Sequence, residues 1–251
     1  PMGWEMPVYR AIRQKRMDLI ELLVAHGLDV SEVDMHQVFE TWEPAMMEYF
    51  IEKGADPEAD NALASALCRR IRTALRIYRK YKDRFPGFQE QANIALRHHS
   101  SEGNLKWVSL MLWAGADPYA SGRRSLTEPV EGNYPEYSAV RNAADYGQLD
   151  VFKLLTKKKF DPEAPENFAM MKYASTDKDL ELIELLVIKG IDFAKHAKEM
   201  SEVMHSLISS IDWHWDPWGS TQERGSIDTD KARNKMKIIL SLARRGVCST
   251  P

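Results

Sequence analysis

The chain has 251 residues, 44% of them hydrophobic and 28% charged, with a formal net charge of −3. That is the composition of a folded protein, and its charge balance excludes a general attraction to nucleic acid or anionic lipid. No apolar run approaches the ~18 to 20 residues that span a bilayer, and the widely separated Cys68 and Cys248 exclude a disulfide framework or a C-x-x-C zinc module, so a cytoplasmic, reducing setting is expected.

Along the chain one phrase recurs: an amphipathic helix that runs into Gly-Ala-Asp-Pro or a worn version of it. The first copy is Leu19–Val30; its helix begins at Met17, so that Met17, Leu19, Ile20, Leu22, Leu23 and Val24 form a broad apolar face, and Gly27 stops it. Pro7 opens a shorter helix before it, at a position where a missing N–H costs nothing. The second copy ends at Gly54-Ala55-Asp56-Pro57 and the third at Gly115-Ala116-Asp117-Pro118, with weaker ones at Phe160-Asp161-Pro162 and Gly190-Ile191-Asp192. The spacing from Gly54 to Gly115 is 61 residues, enough for an additional degenerate unit with helices at 62–70 and 72–84 stopped by Pro86-Gly87. The first, fourth, fifth and sixth units read most plainly as a short helix, a tight turn, a longer helix and the Gly/Asp punctuation, and three or four of the units are irregular. Such self-similarity predicts stacked helical pairs, each of which buries its apolar face against its neighbours.

These stretches resemble the ankyrin repeat family. The resemblance is carried by Met6–Ile12, Ser138–Ala144, Gly147–Leu155, and Gly103–Val108 leading to Gly115–Pro118. It implies an all-α, ankyrin-like solenoid of stacked helix-turn-helix repeats running as one array over residues 1–251. Seven units are expected, at about 6–30, 33–57, 61–85, 88–118, 137–162, 167–193 and 197–246. Two long insertions fall at 119–136 and 212–230, the latter between helices at 197–211 and 231–245.

Four groups of residues are candidates for function. Trp213, Trp215 and Trp218 place three of the seven tryptophans within six positions of a loop, where they suit either partner binding or capping of the last unit. The 119–136 connection carries Tyr119, Arg123, Arg124 and Tyr134, and long loops of this kind are often functional. The resemblance implies that the outward residues of the first helices line a groove: Arg10, Arg13, Gln37, Glu40, His98, Asn142, Asp145, Tyr173 and Thr176. The most basic stretch includes Arg69, Arg72, Arg76, Arg79 and Lys80, alongside Leu75, Ile77, Tyr78 and Tyr81, which read as a core face. Its cations suit a solvated face or an acidic protein partner, and in a second reading the phosphates of a nucleic acid.

Catalytic signatures are missing from the sequence: it has no H-E-x-x-H, G-x-S-x-G, Walker loop or G-x-G-x-x-G. His98 and His99, being adjacent on a helix, are not expected to face one site, and His196 and His205 are nine apart. His214, between Asp212 and Asp216, is the arrangement closest to a metal or acid/base group. The expectation is therefore a monomeric protein–protein interaction module without cofactor, metal or catalysis of its own. Its alternative is a nucleic-acid-associated array that binds through 69–84.

Overall fold

A computed structural model describes residues 6–123, 126, 136–157, 159–171, 177–211 and 229–247. Among these the chain is all α-helical, and the one β-bridge joins Gly122 to Tyr137. No described helix is long and apolar enough to cross a membrane. The chain divides into two compact units, Pro1–Asn142 and Ala143–Pro251.

The first unit contains α1 (Pro7–Arg13), α2 (Met17–Ala25), α3 (Met35–Phe39), α4 (Pro44–Glu52), α5 (Ala62–Cys68), α6 (Arg72–Tyr81), α7 (Phe88–Ser101) and α8 (Leu105–Ala114), and ends within α9 (Ala139–Asp145). Helices α1, α3, α5 and α7 pack in series, and α4, α6 and α8 form a parallel series beside them. The core lies between the two rows. Val8, Ile12, Met35, Val38, Phe39, Leu63, Leu67, Ala92 and Leu96 enter it from the first row, and Met47, Phe50, Ile51, Ile77, Tyr78, Val108 and Met111 from the second. The second unit contains α10 (Leu149–Leu155), α11 (Pro165–Met171), α12 (Asp177–Ile188), α13 (Ala197–Ser209) and α14 (Thr229–Arg244), with α10, α12 and α14 in contact in sequence and α11 against α13.

Local chemistry explains the punctuation. In all five copies of the phrase the aspartate accepts a hydrogen bond from the backbone N–H two residues on: Ser31 to Asp29 at 2.9 Å, Glu58 to Asp56 at 2.9 Å, Tyr119 to Asp117 at 2.9 Å, Glu163 to Asp161 at 3.0 Å and Ala194 to Asp192 at 3.1 Å. This is the turn that a short carboxylate side chain makes with its own backbone. The residue two before each of α2, α4, α6, α8 and the helix that starts at Leu149 has positive φ: Lys15 at 55°, Trp42 at 64°, Arg70 at 68°, Gly103 at 72° and Gly147 at 63°. The left-handed Arg70 is why α5 stops at Cys68, two residues short of the span expected from sequence.

Gly54 follows α4 with φ at 102°, and a Cβ there would meet nothing within 4 Å. A Gly54→Ala substitution therefore introduces backbone strain with no steric clash. It is expected to cost about 1–2 kcal/mol, read as faster hydrogen exchange in α4, and unchanged protection there would contradict this account of the turn.

Candidate functional site: a basic groove between α6 and α8

Helix α6 is amphipathic in an unusual way, since its polar face is made almost wholly of cations. Ala74, Leu75, Ile77, Tyr78 and Tyr81 are buried, as the sequence pattern predicts, and Arg72, Arg76, Arg79 and Lys80 are exposed. What surrounds these cations divides them into two sets, with Lys80 common to both.

One set is neutralised by acids of the preceding helical pair. Arg69, in the turn before α6, is ion-paired with Glu40, just after α3. Lys80 donates to Glu48 Oε2 at 2.8 Å, and Arg84 reaches Glu52 Oε2 at 3.3 Å while Tyr81 Oη donates to Glu52 Oε1 at 2.8 Å. These are surface pairs, individually worth little to stability, but they fix where the positive charge is compensated.

The other set faces α8. Arg72, Leu75, Arg76, Arg79 and Lys80 lie at helical spacing along one side of α6, and Lys106, Ser109, Leu110 and Trp113 along one side of α8; together they line a groove of about 890 Å³. Five of these nine residues are cationic and none is acidic. Trp113 is 63% exposed, and the Arg79 guanidinium lies over its ring with the carbon 3.8 Å from the centroid. A cation on an indole face is attracted by the ring quadrupole, so Arg79 and Trp113 stiffen one another as a wall of the groove. Its floor, formed by Leu75 and Leu110, is apolar.

Of the basic residues singled out from sequence, the structure thus brings Arg72, Arg76, Arg79 and Lys80 together and places Arg69 elsewhere. Lys106 and Trp113 were missed. The available signal was the i, i+3, i+4, i+7 set 106, 109, 110, 113, with a tryptophan on a face that does not point to the core.

The remaining candidates are scattered. Arg10 and Arg13 are exposed on α1, and Gln37 is half-buried on α3. Asp145 is exposed at the end of α9. Asn142, expected to face a groove, is instead fully buried, and its amide donates to the Arg97 carbonyl oxygen at 3.2 Å. That contact secures a backbone carbonyl, so the expected outward placement of Asn142 does not hold. Tyr119 and Arg123 are half-buried at the start of the long connection, where the Arg123 carbonyl accepts from Arg97 Nε at 2.7 Å. Arg124, Tyr134, Tyr173, Thr176, Trp213, Trp215, Trp218 and His214 lie outside the described residues, as does most of both insertions.

The histidine expectation is also corrected. His98 Nε2 lies 3.4 Å from Glu102 Oε1 and His99 Nδ1 3.5 Å from Glu102 Oε2, so the adjacent pair does converge on one carboxylate. Positions i+3 and i+4 both return to the same side of a helix, and Glu102 therefore falls angularly between the two rings. In the second unit, His196 pairs with Glu163 at 2.6 Å, whereas His205 is exposed.

Cys68, at the end of α5, is held as a thiol. Burial, followed by the negative charge of Glu102, pushes its pKa from 9.0 up to about 12. The thiolate is the reactive form, so its fraction near neutral pH falls about 1,000-fold for three such decades. In a Cys248→Ser background Cys68, which is half-buried, is expected to react with an alkylating reagent about that much more slowly than a free thiol, and a normal rate would refute the raised pKa. The linkage has a definite sign: the folded state holds the proton more tightly, so this group's contribution to stability is intact below pH 9.0 and is lost as pH rises through about 12.

No protein-family model matches the chain, and no curated protein matches it. The all-α fold and the basic groove are therefore the basis of a functional reading.

Proposed function

We propose that the chain is a protein–protein interaction module that binds an acidic segment of a partner protein in the α6–α8 groove. The observation that carries this reading is the compensation pattern: Arg69, Lys80 and Arg84 are paired with glutamates, whereas α8 presents no carboxylate to Arg72, Arg76 and Arg79 across the groove. Aspartate and glutamate side chains would supply the missing charge, and an intervening apolar side chain would pack on Leu75, Leu110 and Trp113. Tryptophan and arginine are the side chains that most often dominate binding energy at interfaces.

In this reading the helical pairs form an ankyrin-like array. It is supported by the recurring aspartate turns and by the recurring left-handed residue between paired helices. The module would act as a monomeric intracellular adaptor or inhibitor without catalysis of its own. Nucleic acid is the second reading, favoured by the exposed Trp113 ring, on which a base could stack.

Titration of the full chain with a fluorescent Glu/Leu peptide, a neutral Gln/Leu peptide and single-stranded DNA of equal length distinguishes these readings. The expected result is saturable binding of the acidic peptide alone, weakened by salt because surface charge attraction is screened. Preference for the DNA, with a steeper salt dependence, would move the function to nucleic acid, and binding of none of the three would overturn the groove as a site.

A further inference from the structure

The carboxy-terminal end of α7 brings together three groups that are good metal ligands. Glu102 caps the helix, and His98 and His99 approach its two oxygens at 3.4 and 3.5 Å. One ligand atom from each of the three lies within 4.8 Å of the other two. In a tetrahedral zinc site with bonds near 2.0–2.1 Å, neighbouring donor atoms are about 3.3 Å apart, and each imidazole nitrogen already stands at about that distance from a carboxylate oxygen, His98 from Oε1 and His99 from Oε2. Convergence on one ion would need rotation of His98, which is half-exposed, and of the exposed Glu102 carboxylate.

The environment of His99 gives the arrangement a direction. Its side chain is fully buried, and its Nε2 lies 3.0 Å from the Leu67 carbonyl oxygen. A carbonyl only accepts, so Nε2 carries the proton and Nδ1 presents a lone pair. That Nδ1 is buried and has no hydrogen-bond partner. Trp107, also buried, stacks on the ring at 5.3 Å and holds its orientation. A histidine oriented by a backbone carbonyl, with its other nitrogen free to coordinate, is the usual outer-shell arrangement at a metal ligand.

We propose that His98 Nε2, His99 Nδ1 and the Glu102 carboxylate form a binding site for one divalent transition-metal ion of the zinc or cobalt class, with water completing the coordination. The ligand set of two imidazoles and one carboxylate suits these ions rather than calcium or magnesium, which take oxygen ligands. Arg70 is the competitor already in place: its guanidinium donates to Glu102 Oε2 at 3.1 Å. It is exposed, so it can swing into solvent when the ion enters. The ion would tie the end of α7 to Glu102 next to the last turn of α5, on a side of the molecule formed by other residues than those of the α6–α8 groove.

The test is a calorimetric titration of the tag-free full chain with zinc, repeated with cobalt and followed by visible absorption. Wild type and four variants are compared: His98→Ala, Glu102→Gln, Arg70→Ala and a His205→Ala control. His98, Glu102 and Arg70 are not buried, so circular dichroism should show the fold retained. The proposal expects one equivalent of zinc, affinity at least 10-fold weaker in His98→Ala and in Glu102→Gln, stronger in Arg70→Ala, and unaltered in the control, with a tetrahedral cobalt spectrum that His98→Ala abolishes. It is overturned if neither wild type nor Arg70→Ala binds one equivalent, or if His98→Ala and Glu102→Gln bind as tightly as wild type.

Discussion

Replacing Arg97 with alanine is expected to cost about 3–5 kcal/mol and to free the start of the 119–136 connection. Arg97 is on α7 with no exposed surface at all. Its guanidinium is ion-paired with Glu90, two turns back on the same face of the helix, Nε donates to the Arg123 carbonyl at 2.7 Å, and Nη1 donates to the Ala120 carbonyl at 3.0 Å. Gly122 fits between these groups so closely that a Cβ there would sit 2.8 Å from both Arg97 Nη2 and Glu90 Oε1. The Arg97 main-chain carbonyl accepts the Asn142 amide, which brings α9 to the same point. Truncation at this site would leave a cavity, two carbonyls without their donor and a carboxylate without its cation, each a recognised source of large destabilisation.

Arg97→Lys would keep the charge and lose the planar fork that serves three acceptors at once, so an intermediate cost is expected. Hydrogen exchange resolved by segment is the appropriate measurement. In Arg97→Ala, protection should fall in α7 and the Gly122–Tyr137 bridge should open, while α1 and α2 stay protected. A loss below about 1 kcal/mol in α7 would mean that the buried cation is not what holds the connection. Gly122→Ala is expected to produce the same pattern by displacing Arg97 and Glu90.

The second large effect concerns binding. Arg72, Arg76 and Trp113 are all exposed and, apart from the Arg79–Trp113 stack, untied to charged or aromatic neighbours, so their replacement should alter stability by no more than about 0.5 kcal/mol. If the groove binds an acidic segment, Trp113→Ala should weaken that binding by about 30-fold, the effect of losing a central anchor worth about 2 kcal/mol. Reversing both Arg72 and Arg76 to glutamate should weaken it by 100-fold or more, because lost attraction is compounded by repulsion. Lys80→Ala is the informative contrast: Lys80 is already bonded to Glu48 at 2.8 Å, so its loss should matter much less than that of Arg76. Equal effects at Lys80 and Arg76 in a fluorescence titration would indicate attraction to net charge alone, and would remove the argument from compensation.

Much of the helical framework is legible in the amino-acid sequence. Periodic apolar positions announce helices such as α2, α6 and α8, because burial of one face imposes a period of about 3.6 on the sequence. Glycine followed by aspartate announces the turns, because both act through their own backbone and need no distant partner. Short helices are less clear. Helix α3 spans only Met35–Phe39, too few residues for a periodic signal. The expectation for Asn142 fails because its position in a repeat pattern says nothing about which buried carbonyl it will meet.

The site is only half legible. Sequence determines that α6 is basic, that its apolar side is Leu75, Ile77, Tyr78 and Tyr81, and that the repeated phrase makes a turn at each of its five copies, since all of these follow from chemistry within a few residues. Which cations carry uncompensated charge is decided by tertiary structure alone. Glu40, Glu48 and Glu52 come from 29 to 32 residues away to neutralise Arg69, Lys80 and Arg84 and to accept from the Tyr81 hydroxyl, while Arg72, Arg76 and Arg79 meet Lys106 and Trp113 of α8. The same holds for His99, whose buried ring is oriented by a carbonyl 32 residues away. Coulomb attraction and hydrogen bonding act over a few ångströms in space and take no account of distance along the chain, so their partners appear only once the helices are packed.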